Sequence, residues 1–241
     1  MSPPPPRVLI LQPCDEDGPA FLGAWLQRAG VPFEVCRVES GDVVPVSAEP
    51  WDAIAMLGGT MSVNDDLPFL ARAEALMRDA IMRDRPVIGH CLGGQMLARA
   101  LGARTADHPE PEIGWGRIEP TAHALAAAWL GTSAALPVYQ WHHQSFALPV
   151  GAVRLARSAA CANQAFAYGP HLGMQFHVEV DAEKLSRWHR EAPAEGAALL
   201  HHAGVQDEAT MRRDSRRLLA DSQRLAARIY TRWLSLGDGA G

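Results

Sequence analysis

What this chain lacks narrows its chemistry first. It has one lysine against 21 arginines, and its 22 basic residues face 27 acidic ones for a formal charge of -5. No basic stripe exists to track a phosphate backbone, so nucleic acid is not an expected partner. Long apolar runs are missing too: no segment approaches the ~20 residues of a membrane span. The opening stretch MSPPPPRVLILQPC has neither the positive flank nor the apolar length of a signal peptide. No membrane partner is expected, and the cytoplasm is the default location. The only cysteines are Cys14, Cys36, Cys91 and Cys161, far apart and without a C-x-x-C pair, which argues against a disulfide framework and a zinc site. Cys14, Cys36 and Cys161 read as small core or surface residues. Internal repeats are absent, and low complexity is confined to PPPP at 3–6, so residues 1–6 read as a poorly ordered lead-in.

What is there is an ordinary globular composition, 48% hydrophobic over 241 residues, enough for one large α/β domain. Short apolar segments (RVLILQ, PFEVCRV, AIAMLG, PVIG) alternate with helical patterns over 19–29, 67–84 and 92–101. That alternation predicts a parallel sheet covered by helices on both faces, a three-layer α/β sandwich. After Gly102 the texture shifts to shorter runs, IGWGRIEP, LPVYQWH, VRLARSA, QAFAYG and LGMQFHVEV, expected as further strands, some antiparallel. Residues 7–180 therefore form the predicted domain, and 181–241 a helical extension packed on it. In that extension Met211, Leu218, Leu225, Ile229 and Trp233 form one apolar stripe, and the arginines around it read as a solvated face with an Arg217–Asp221 pair.

Three pieces carry chemistry. Gly89-His90-Cys91-Leu92-Gly93 has the form in which a buried strand turns sharply into a helix and holds the middle side chain exposed and strained. The helix N-terminus beyond it favours a thiolate. In GMQFHVEV, residues 173–180, strict alternation sets His177 and Glu179 on one side of an expected strand, where His can act as a base and Glu can orient it. The polar side of such a strand must meet solvent, an edge or a site. In LGGTMSVNDD, residues 57–66, Gly58 and Gly59 let backbone N–H groups point into a cleft, while Asn64, Asp65 and Asp66 are candidates to cap the next helix. Bland alternatives exist for each piece: a small cysteine at a tight turn, an exposed edge strand, a capping loop.

Together, and in this order, the pieces resemble the class I glutamine amidotransferase family over about residues 7–180, most of all stand-alone members similar to the amidotransferase domain of GMP synthase. The resemblance implies a flavodoxin-like fold, with Cys91 as nucleophile, His177 as base and acid, and Glu179 as its orienting partner. It also implies oxyanion donors at Gly59 and Leu92, and substrate contacts at Gly58, Gln95, His142 and Gln144. The substrate would be glutamine or another small γ-glutamyl compound, with no metal and no organic cofactor. Departures are His90, where relatives carry Ile and which is expected to pack behind Cys91, and Gln144 in QWHHQSF, where relatives carry an acidic residue for the substrate's ammonium. A neutral amide does not compensate that charge. No G-x-x-x-x-G-K-[ST] loop is present, so ammonia would pass to a separate synthetase subunit or into solution. Two other readings stand beside glutamine hydrolysis: a γ-glutamyl peptide or amide hydrolase with the same triad, and a non-catalytic binding or regulatory module that keeps the fold.

Overall fold

Both faces of the strand VLILQ are apolar, and the computed structural model, which describes residues 5–196 and 199–237, shows why. Strand β1 (Val8–Gln12) lies inside the sheet: Val8 and Ile10 point into one apolar layer, Leu9 and Leu11 into the other. Around it run β2 (Phe33–Arg37), β3 (Ala53–Met56), β4 (Val87–His90) and β9 (His171–Met174), all parallel in the order β2-β1-β3-β4-β9. The sheet continues antiparallel through β8 (Ala165–Tyr168), β7 (Val153–Arg157), β5 (Thr105–Pro120) and β6 (Leu136–Phe146) to a total of nine strands. Helices α2 (Pro68–Met82) and α3 (Leu92–Ala100) cover one face. Helices α1 (Ala20–Arg28), α4 (Ala124–Leu130) and α6 (Glu208–Ser235) cover the other. The expected three-layer α/β architecture is the one observed.

The differences have local causes. Helix α4 falls in AHALAAAWLG, where no helix was expected; the His123 side chain accepts from the Leu125 amide at its start, and Gly131 ends it at φ 80°. The predicted strand over 172–180 stops at Met174, because its parallel neighbour β4 ends at His90 and the chain leaves the ladder. Beyond it the Gln175 amide donates to the Gln164 carbonyl and the His177 amide to the Tyr139 carbonyl, so this stretch crosses toward β6. Its polar side chains meet neither solvent nor an edge: Gln175, His177 and Glu179 are all buried. Nor does the Asn64–Asp66 turn cap α2, whose N-cap is Leu67 without a side-chain bond; Asp65 instead accepts from the Ser62 amide.

The C-terminal extension consists of α5 (Ala182–Gly196) and α6. Leu225, Ile229 and Trp233 join the main core, whereas Met211 packs with Tyr139, Trp115 and Leu185 in a smaller cluster that Leu218 borders. Arg217 pairs with Asp214 at 3.5 Å instead of Asp221, which pairs with Arg224. No helix among the described residues is long and apolar enough to cross a membrane. Residues 1–4 of the proline-rich lead-in, with 197–198 and 238–241 of the extension, lie outside the described residues.

Candidate active site

Cys91 sits at φ 49° and ψ -108°, a conformation non-glycine residues seldom adopt, on the turn between β4 and α3. Glycine on each side makes the turn feasible: a Cβ on Gly89 would come within 2.3 Å of the Gly93 backbone, and one on Gly93 within 2.2 Å of the Met56 carbonyl. The sulfur receives a hydrogen bond from Gln175 Nε2 at 3.6 Å and lies 3.7 Å from the Trp141 carbonyl oxygen.

The crossing segment brings His177 beside Cys91, close enough to feel its charge, and holds His177 Nδ1 2.6 Å from Glu179 Oε1. Burial opposes an imidazolium here, but the charges of Glu179 and Cys91 outweigh it and push His177 up to about 10. Burial likewise opposes the Glu179 carboxylate, yet His177 and Lys184 hold it well below the usual carboxylate range. The favoured state is thus an imidazolium between a carboxylate and the Cys91 sulfur.

These groups open onto a cleft of about 390 Å³, a size that suits a small molecule. Of the residues expected at the site, Gly59, Leu92, Gln95, His142 and Gln144 line it with Cys91 and His177. Gly58 is buried behind it: a Cβ there would lie 2.9 Å from His177 Cε1 and 3.7 Å from Cys91 Cβ. Gln95 Nε2 donates to the Gln144 carbonyl and to Gln175 Oε1, each at 3.2 Å. The Gln144 side chain is occupied at both ends, accepting from Ser62 Oγ at 2.8 Å and donating to Asp107 Oδ1 at 2.9 Å. His142 is buried with Nε2 3.2 Å from Glu112 Oε2, while His143 is exposed. His90 packs behind Cys91, fully buried, with Nε2 3.2 Å from the Tyr230 hydroxyl.

Several residues at the site were not anticipated. Cys14, Glu16, Asp17 and Glu39 line the cleft from the loops after β1 and β2, and Arg187 and Trp188 line it from α5. The Trp188 ring meets His177 edge-on at 4.8 Å and Trp141 at 5.6 Å between centroids. The extension beginning at 181 thus contributes a wall of the site, a role its charged, amphipathic sequence does not signal.

A family model described as glutamine amidotransferase class-I matches residues 23–187. A glutamine amidotransferase-like protein of Salmonella typhimurium is 34% identical over 178 residues, covering 70% of this chain and 73% of its own. A subunit of the glutamine-hydrolyzing GMP synthase of Thermoplasma volcanium is 27% identical over 173 residues, covering 68% and 83%. Among solved structures, a glutamine amido transferase from Methylobacillus flagellatus superposes with a TM-score of 0.93 at 39% identity, over 97% of this chain and 96% of that one. A glutamine amidotransferase from Thermotoga maritima superposes with a TM-score of 0.85 at 26% identity, over 95% and 97%. With the strained cysteine turn, the buried His–Glu contact and the flanking glycines at one cleft, these similarities establish that the chain belongs to the class I glutamine amidotransferase family.

Proposed function

We propose that this protein hydrolyses the side-chain amide of glutamine through a γ-glutamyl thioester, releasing glutamate and ammonia. The observation that carries this reading is the buried 2.6 Å contact of His177 with Glu179 beside a cysteine held at positive φ. The Cys91 thiolate attacks the amide carbon, and the Gly59 and Leu92 amides on the cleft wall receive the developing oxyanion. His177, kept protonated by Glu179, gives its proton to the departing ammonia; the neutral imidazole then takes a proton from water, which attacks the thioester and frees glutamate. Gln95 and His142, which line the cleft, orient the substrate. The similarity to a chain named for one subunit of a GMP synthase supports a separate synthetase subunit that accepts the ammonia.

A second reading, hydrolysis of a γ-glutamyl amide with a larger amine leaving, is favoured by Gln144. Its side chain is neutral and already committed to Ser62 and Asp107, so it compensates no substrate ammonium. Trp141 and Trp188 add apolar wall that ammonia does not need. Glutamate release from glutamine and from a panel of γ-glutamyl amides, with Cys91→Ala as control, separates the two. The expected result is turnover of glutamine, a trapped thioester of Cys91 by mass spectrometry, and neither in Cys91→Ala. Turnover of γ-glutamyl amides without glutamine would replace the first reading by the second, and an absent thioester with every substrate would remove both.

A further inference from the structure

The single lysine of this chain, Lys184, is fully buried at the triad. Helix α5 starts where Asp181 Oδ1 accepts from the Lys184 amide, and this first turn directs the side chain inward. The ammonium donates to the Gly18 carbonyl at 3.1 Å and to Glu179 Oε1 at 3.4 Å, and it forms an ion pair with Asp17 Oδ1 at 2.6 Å. Its Nζ also lies 5.1 Å from the centre of the Trp188 ring. Every other cationic side chain outside the histidines is arginine; here lysine supplies a compact point charge instead of a planar fork.

We propose that Lys184 is a positioning residue, a permanent buried counter-ion that keeps Glu179 anionic and in place while His177 gains and loses its proton. The inference rests on the triad reading above. During the reaction His177 alternates between cation and neutral ring, but Glu179 has no exposed surface through which water could help it. Its Oε2 is 4.0 Å from His90 Nε2, beyond hydrogen-bond reach, and burial keeps His90 neutral. At the moment His177 is neutral, Lys184 is therefore the remaining cation on Glu179, and a buried carboxylate without one is expensive. Asp17 balances Lys184 in turn, and with Gly18 it ties the β1–α1 loop, which lines the cleft, to α5. The groups facing this assembly are Cys91 and His90 at the end of β4, Asp17 from that loop, Tyr230 from α6 and the Trp188 ring.

The test reads the site without any substrate. Full-length Lys184→Met and Asp17→Asn are alkylated with iodoacetamide across a pH series, and the Cys91 peptide is quantified by mass spectrometry, with circular dichroism reporting folding. Removing the cation is expected to raise the pH midpoint of Cys91 alkylation by about one unit, and removing the anion to lower it. Lost packing alone would not give shifts of opposite sign. A folded Lys184→Met with an unchanged or lower midpoint overturns the proposal. Should Lys184→Met not fold, Asp17→Asn decides alone: a lower midpoint supports the proposal, an unchanged or higher one overturns it. Glutamine inert to the wild type would sink the proposed reaction while leaving this result intact.

Discussion

Glu179→Gln is the substitution that tests the His–Glu contact most directly. Glutamine has nearly the same shape, but it removes the charge that faces His177 at 2.6 Å and Lys184 at 3.4 Å, all three groups being at most 3% exposed. Breaking a buried ion pair by removing one partner costs about 3–5 kcal/mol. For a chain of this size that corresponds to a drop in Tm of about 10 °C. The amide can also donate to Nδ1 and force the wrong imidazole tautomer, which in other His–carboxylate triads lowers kcat by about 10⁴. A pH signature accompanies both effects. His177 sits at about 10 in the folded protein, above its unfolded value of about 6.5. Its contribution to stability is therefore fully present below about 6.5 and lost as pH rises through about 10. In Glu179→Gln burial dominates and the raised value collapses, so the decline in stability between those two pH values flattens. Urea denaturation across pH, with amide hydrolysis as the activity assay, measures all three quantities. A variant within tenfold of wild-type kcat and with the wild-type pH dependence of stability would refute the reasoning.

Two further substitutions probe the frame. Gly58→Ala sets a methyl group 2.9 Å from His177 Cε1 and 3.2 Å from Asp17 Oδ2; displacing the imidazole by a fraction of an ångström is expected to lower kcat about 100-fold with little change in KM, readable in steady-state kinetics. Trp233→Ala removes a fully buried ring that seats α6 on the main core; a loss of about 3–5 kcal/mol is expected by urea denaturation, and a loss below about 1 kcal/mol would mean that α6 is only loosely attached.

The amino-acid order alone determined what depends on neighbours along the chain. Buried strands and amphipathic helices follow from hydrophobic periodicity, and the cysteine turn follows from glycines two residues before and after Cys91, because the steric problem they solve is local. His177 and Glu179 were legible as a pair by their spacing, although the strand meant to carry them ends at Met174. Tertiary hydrogen bonds to Gln164 and Tyr139 steer that segment, and no local pattern encodes them. Helix α4 was hidden because a seven-residue alanine-rich segment carries too little periodicity to outweigh its strand-like surroundings. Only the folded chain decided the rest of the site. Asp17 and Lys184 are separated by most of the sequence, and they meet because β1 and α5 converge beside Glu179. An isolated lysine in an arginine-rich chain looks like one more solvated charge, and burial against two carboxylates is what turns it into a counter-ion.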